Sequence, residues 1–119
     1  MDKESGCPSE TETLLGRVSV AKHWQRILHK HPELEVTFSD PCRAIVLALE
    51  RPCIVARSRR DSRVYVFYRC SPEGPDIAVI VKYPQGVPGS GFILTAYPTR
   101  KPPRGDPVWP KPGNGRERG

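Results

Sequence analysis

"RVYVFYRCSPEGPDIAVIVKYPQGVPGSGFILTAYPTR", residues 63 to 100, decides the fold. Three runs within it, "RVYVFYRC", "DIAVIVKY" and "GFILTAY", are rich in β-branched and aromatic residues, the composition of half-buried strands. "SPEGP" and "PQGVPGS" between them are turn chemistry, where glycine and proline supply the backbone angles that strands cannot. Connections this short suit antiparallel neighbours, because a parallel crossover needs a dozen or more residues. A fourth run, "CIVARS", joins from upstream through "RRDS". The expectation is one antiparallel sheet with strands near 53–57, 64–70, 77–83 and 92–97.

Towards the N-terminus the period changes to that of helices. In "RVSVAKHWQRILHKHPEL", Val20, Trp24, Ile27, Leu28 and His31 recur at steps of three and four, which defines one face. Lys22, Arg26, His29 and Lys30 fall on another. "GRVSV" ahead of them reads as a short strand, and Pro32 ends the regular helix. "SDPCRAIVLALERP" is better marked. Asp40 stands at the N-cap and Pro41 at the first helical position, while Pro52 stops the run. Helices are expected over 22–31 and 41–50. The predicted class is α+β, two N-terminal helices packed on one antiparallel sheet of about four strands.

The chain has 119 residues, enough for one modest core, and its 14 prolines and 10 glycines gather between the apolar runs and in the tail. Residues 1–13 are polar and without periodicity, which predicts disorder. Residues 14–100 form the expected domain. Residues 101–119 read as a proline-rich basic tail with Trp109 as its anchor.

The net charge is +6, and the acidic first thirteen residues leave the remainder still more basic. Such a surface suits a polyanionic partner. Cys7, Cys42, Cys53 and Cys70 have wide spacings that match neither a redox pair nor a zinc knuckle, so free thiols in a reducing compartment are expected. The N-terminus has no apolar core of signal-peptide type, and no apolar run reaches the roughly 18 residues of a membrane span. The expectation is a cytoplasmic protein without membrane contact. The acids are scattered, so neither a metal site nor a cofactor is indicated.

"HKHPEL" places His29, His31 and Glu33 together, and histidine exchanges protons near neutral pH. A histidine at a helix C-terminus is equally at home as a packed residue favoured by the helix dipole. Period-two alternation puts Tyr65, Phe67 and Arg69 on one face of their strand, and Ile93, Thr95 and Tyr97 on one face of theirs. If the two sets share a side, Arg69, Thr95 and Tyr97 supply a cation, a hydroxyl and a stacking phenol, groups that suit RNA. Ordinary sheet residues with a surface ion pair would give the same spacing. "RSRRDSR" is a dense cationic turn, either a solvated hairpin tip or a tracker of phosphates.

The order of "WQRILHKHPEL", a capped helix ending "LERP", then "VFYR", "AVIVK", "FILTAYPT" and "RGDPVW", resembles the phage-associated branch of the barnase–EndoU–colicin–RelE-like nucleases. The resemblance spans residues 17 to 110. It implies a metal-independent endoribonuclease, a toxin or phage-linked effector, cleaving RNA by 2′-hydroxyl attack to a cyclic phosphate. It also implies a neutralising antitoxin or immunity protein as partner. His31 and Glu33 match the family's HPE, Arg69 its strand arginine, and Thr95 and Tyr97 its TAY. The implied catalytic set is His31, Arg69, Thr95 and Tyr97, with Arg26, His29, Lys30, Lys82 and Arg100 binding substrate. Where the family carries histidine two residues after the tryptophan, this chain has Arg26, so that the proton-transfer group is either lost or replaced by His23 or His29. The rival reading is a non-catalytic RNA-binding or protein-interaction domain of the same fold. On either reading His31, Arg69 and Thr95 are expected to line one basic concave surface, on the sheet face away from the second helix.

Overall fold

The computed structural model describes residues 7–70 and 75–110. Its frame is a curled, mixed sheet of seven strands: β1 (Glu10–Thr13), β2 (Gly16–Ser19), β3 (Ile54–Arg57), β4 (Val64–Arg69), β5 (Asp76–Lys82), β6 (Gly89–Thr99) and β7 (Asp106–Trp109). They lie in the order β1-β2-β6-β5-β4-β3-β7. The helices are short: α1 (Trp24–Lys30) after one 3-10 turn, α2 (Glu33–Thr37) and α3 (Pro41–Glu50).

This overturns the expected two helices on about four strands. The meander β3-β4-β5-β6 is antiparallel throughout. Three further strands extend it. β1 and β2 form a hairpin, and β2 joins β6 in parallel through the pairs Gly16–Gly89 to Ser19–Phe92. A Cβ on Gly16 would meet the Gly89 carbonyl at 2.0 Å, so the two backbones approach only because the first is glycine. β7, from the proline-rich tail, pairs with β3. The segment expected to be disordered therefore contains β1, while residues 1–6 and 111–119 lie outside the described residues.

α3 forms as its sequence dictates. Asp40 accepts the Arg43 N–H at 3.1 Å, Pro41 opens the first turn, and Cys42, Ile45, Ala48 and Leu49 are buried. Ile45, Ala48 and Leu49 share one core with Phe67, Val79, Val81 and Ile93, which are fully buried on the same side of the sheet, and α3 lies over β4 and β5. Burial of each large side chain contributes about 1.5–3 kcal/mol, and emptying the centre by Phe67→Ala would cost about 3–5 kcal/mol.

Pro32 divides the other helical stretch. Its ring disfavours helical geometry at His31 (φ −132°, ψ 70°), so α1 stops and α2 starts afresh at Glu33. α1 and α2 lie along β6 beyond Phe92, where β2 no longer pairs with it.

The cysteine expectation is also corrected. Cys7 and Cys42 form a disulfide, with Cα atoms 5.6 Å apart, and Cys53 and Cys70 are free. The sequence separation of 35 between the bridged pair conceals a chain that returns through β1 against α3, where Thr11 donates to Glu50 at 2.5 Å.

Candidate functional site

The helix break makes the first cluster. In a continuous helix, residues two apart do not face each other. With Pro32 between them, His31 Nδ1 and a Glu33 carboxylate oxygen stand 2.8 Å apart. This bond holds the Glu33 carboxyl below its ordinary pKa, with a smaller contribution from a backbone N–H. The His31 ring lies 5.6 Å from the Tyr97 ring, centroid to centroid. Its Nε2 has no protein partner among the described residues.

Thr95 and Tyr97 reach this side of the sheet through a β-bulge. Val81 pairs with Ile93 but Ile80 pairs with Thr95, so Leu94 is an extra residue in β6. A bulge resets the alternation of side chains. Ile93 and Ala96 are both fully buried on the α3 face, and Thr95 and Tyr97 point to the opposite, outer face. The Thr95 hydroxyl is nonetheless closed off from solvent there and has no hydrogen-bond partner.

Arg69 does not join them. It pairs across the sheet with Ile77 on the α3 face, and its guanidinium donates to the Arg51 carbonyl at 2.8 Å, capping the C-terminal end of α3. Arg26 is likewise engaged: its guanidinium donates at 2.8 Å to the Ile93 carbonyl, on the edge of β6 that β2 leaves open. His23 stacks on Phe92 at 5.5 Å, about 15 Å along β6 from Tyr97 at the usual strand rise. Of His23 and His29, the two histidines expected as substitutes for a proton-transfer group at Arg26, only His29 is left. It is exposed with Lys30 on the last turn of α1, and Arg100 is exposed just past β6. The structure thus brings together His31, Glu33, Thr95 and Tyr97, and separates them from Arg69.

A second cluster stands across the outer face. The cross-strand row Thr95–Ile80–Val66 leads over two strand spacings, about 10 Å, to a cavity of about 310 Å³. Ser58, Arg59, Arg60, Val66, Arg104 and Gly105 line it. The segment following β6 crosses the sheet to reach β7, and Gly105 (φ 108°) lies so close to the Arg57 carbonyl that a Cβ would meet it at 2.5 Å. Asp106 anchors this crossing, accepting from Arg59 at 3.0 Å with Arg57 at 3.9 Å. Lys82 pairs with Asp61 at 3.3 Å. Arg60 and Arg104 have no carboxylate partner among the described residues.

Arg59, Arg60 and Arg104 bring three cations to the cavity, and of these Arg59 alone is paired among the described residues, with Asp106. Fixed positive charge around a concavity attracts phosphates. The hairpin "RSRRDSR" signalled this cluster in sequence. Arg104 did not, because its partnership depends on where the tail crosses.

Comparison with protein-family models, with curated proteins and with solved structures returns no match. No helix among the described residues is long and apolar enough to cross a membrane.

Proposed function

We propose that this protein binds single-stranded RNA across the outer face of its sheet and cleaves it without a metal ion. The arginine cavity holds the phosphate backbone, and His31 exchanges the proton. One observation carries the reading. The His31–Glu33 pair, set against Tyr97, leaves Nε2 unengaged on the face that leads to the arginine cavity.

In the step proposed, Nε2 takes the proton of a ribose 2′-hydroxyl while Glu33 steadies the imidazolium through Nδ1. The 2′-oxygen attacks the adjacent phosphorus, the 5′-oxygen departs with a proton from solvent or His29, and a cyclic phosphate remains. Tyr97 offers a ring on which a base can stack. The order of motifs shared with the barnase–EndoU–colicin–RelE-like nucleases supports the reading. A neutralising protein partner belongs to the same proposal. The Cys7–Cys42 bond removes one of the grounds for expecting a cytoplasmic location, the free thiols.

The second reading, RNA binding without turnover, is favoured by the guanidinium groups of Arg26 and Arg69. Both are spent on backbone carbonyls, which leaves no guanidinium bonded within the His31 cluster among the described residues. Incubation with mixed RNA in chelator separates the two readings. Cleavage by the native chain and none by His31→Ala supports the enzyme. Equal binding with no cleavage by either supports the second reading.

A further inference from the structure

The Cys53–Cys70 pair lies on neither the His31 cluster nor the arginine cavity. The Cys53 N–H donates to the Tyr68 carbonyl at 2.7 Å, continuing the β3–β4 ladder by one residue. This brings the Cys53 sulfur to the far end of β4. It accepts the Cys70 backbone N–H at 3.0 Å, and its own S–H lies 3.9 Å from the Cys70 carbonyl oxygen. A sulfur that touches the backbone of the other cysteine is within a side chain's length of that cysteine's own sulfur. Cys53 is half-buried and Cys70 exposed, so reagents can reach them. The other two cysteines are already joined to each other. No third histidine, cysteine or carboxylate completes a metal-holding group with them among the described residues.

We propose that Cys53 and Cys70 form a thiol–disulfide site, whose co-substrate is a low-molecular-weight disulfide such as oxidised glutathione. The sulfur that first loses its proton attacks one sulfur of that disulfide, forming a mixed disulfide and expelling one glutathione thiolate. The second protein thiolate then attacks the protein-side sulfur and expels the other. Two protein thiols are oxidised, one small disulfide is reduced to two thiols, and the two protons pass to those products. The Cys70 thiol is pushed up to about 11, first by its hydrogen bond to Cys53 and then by burial. The resulting bond ties the start of β3 to the end of β4, next to the Arg69 cap on α3. It closes a loop over a separation of 17 residues.

The test is to treat the full chain, with Cys7–Cys42 intact, with excess oxidised glutathione, alkylate remaining thiols, and read intact and peptide masses without reduction. The native chain should end with no alkylated cysteine, no retained glutathione and a Cys53–Cys70 cross-linked peptide. Cys53→Ser and Cys70→Ser should each hold one glutathione, because the thiol that would displace it is gone. A native chain that keeps both thiols alkylatable, or holds glutathione as stably as the single variants, would overturn the proposal. So would cross-links from Cys53 or Cys70 to Cys7 or Cys42, or between two chains.

Discussion

Ile93 and Thr95 stand two residues apart on one strand yet face opposite sides of the sheet, Ile93 fully buried on the core side and Thr95 turned to the outer face. The extra residue, Leu94, separates core from site. Because the Thr95 hydroxyl is buried without a partner, it carries a desolvation cost of about 1–3 kcal/mol. Thr95→Val keeps the shape and removes that cost. Its denaturation midpoint should rise, and RNA affinity should stay unchanged. A loss of stability would mean that the hydroxyl is bonded after all.

Arg26 serves the fold. Arg26→Met keeps the apolar stem but strips the donor from the Ile93 carbonyl, so stability should fall by about 1–2 kcal/mol in urea unfolding, with RNA binding little altered.

The Glu33 carboxyl is depressed chiefly by its bond to His31. A carboxyl lowered in the folded state contributes stability above its unfolded pKa, and that contribution is lost as pH falls through the folded value. In His31→Ala the Glu33 titration, followed by NMR, should move up towards the ordinary carboxylate value. A titration that stays where it was would show that the pair does not form.

Breaking Cys7–Cys42 frees a long loop in the unfolded chain. The double variant Cys7→Ser/Cys42→Ser should lose about 3–4 kcal/mol of stability by the loop-closure relation, read from denaturant unfolding. Its β1 amides should exchange faster than those of β5.

What was legible in the sequence follows from how local each signal is. α3 could be read because its cap, its proline and its apolar positions lie within a dozen residues. The four strands of the meander were legible from composition and turns. β1 and β7 were not. "ETET" has no apolar residue, and "DPVW" sits among prolines, so each is a strand only because a neighbour's edge receives it. At the site, the HPE run showed His31 and Glu33 together. Their contact depends on a break at Pro32 that sequence also marks. The grouping of Arg69 with Thr95 and Tyr97 failed on one residue. Uninterrupted alternation from Ile93 would have turned Thr95 and Tyr97 to the side Arg69 occupies, and nothing in "FILTAY" announces the bulge at Leu94.

The central claim is that the outer face takes RNA through the arginine cavity and presents it to His31. The measurement that tests it most directly is the salt dependence of single-stranded RNA binding, comparing the native chain with Arg60→Ala/Arg104→Ala and with His31→Ala. For single strands each phosphate contact contributes about 0.7 to the slope of log affinity against log salt. The double variant should therefore bind more weakly with a slope shallower by about 1.4, while His31→Ala should bind like the native chain and fail to cleave. An unchanged slope in the double variant, or cleavage that survives in His31→Ala, would contradict the account.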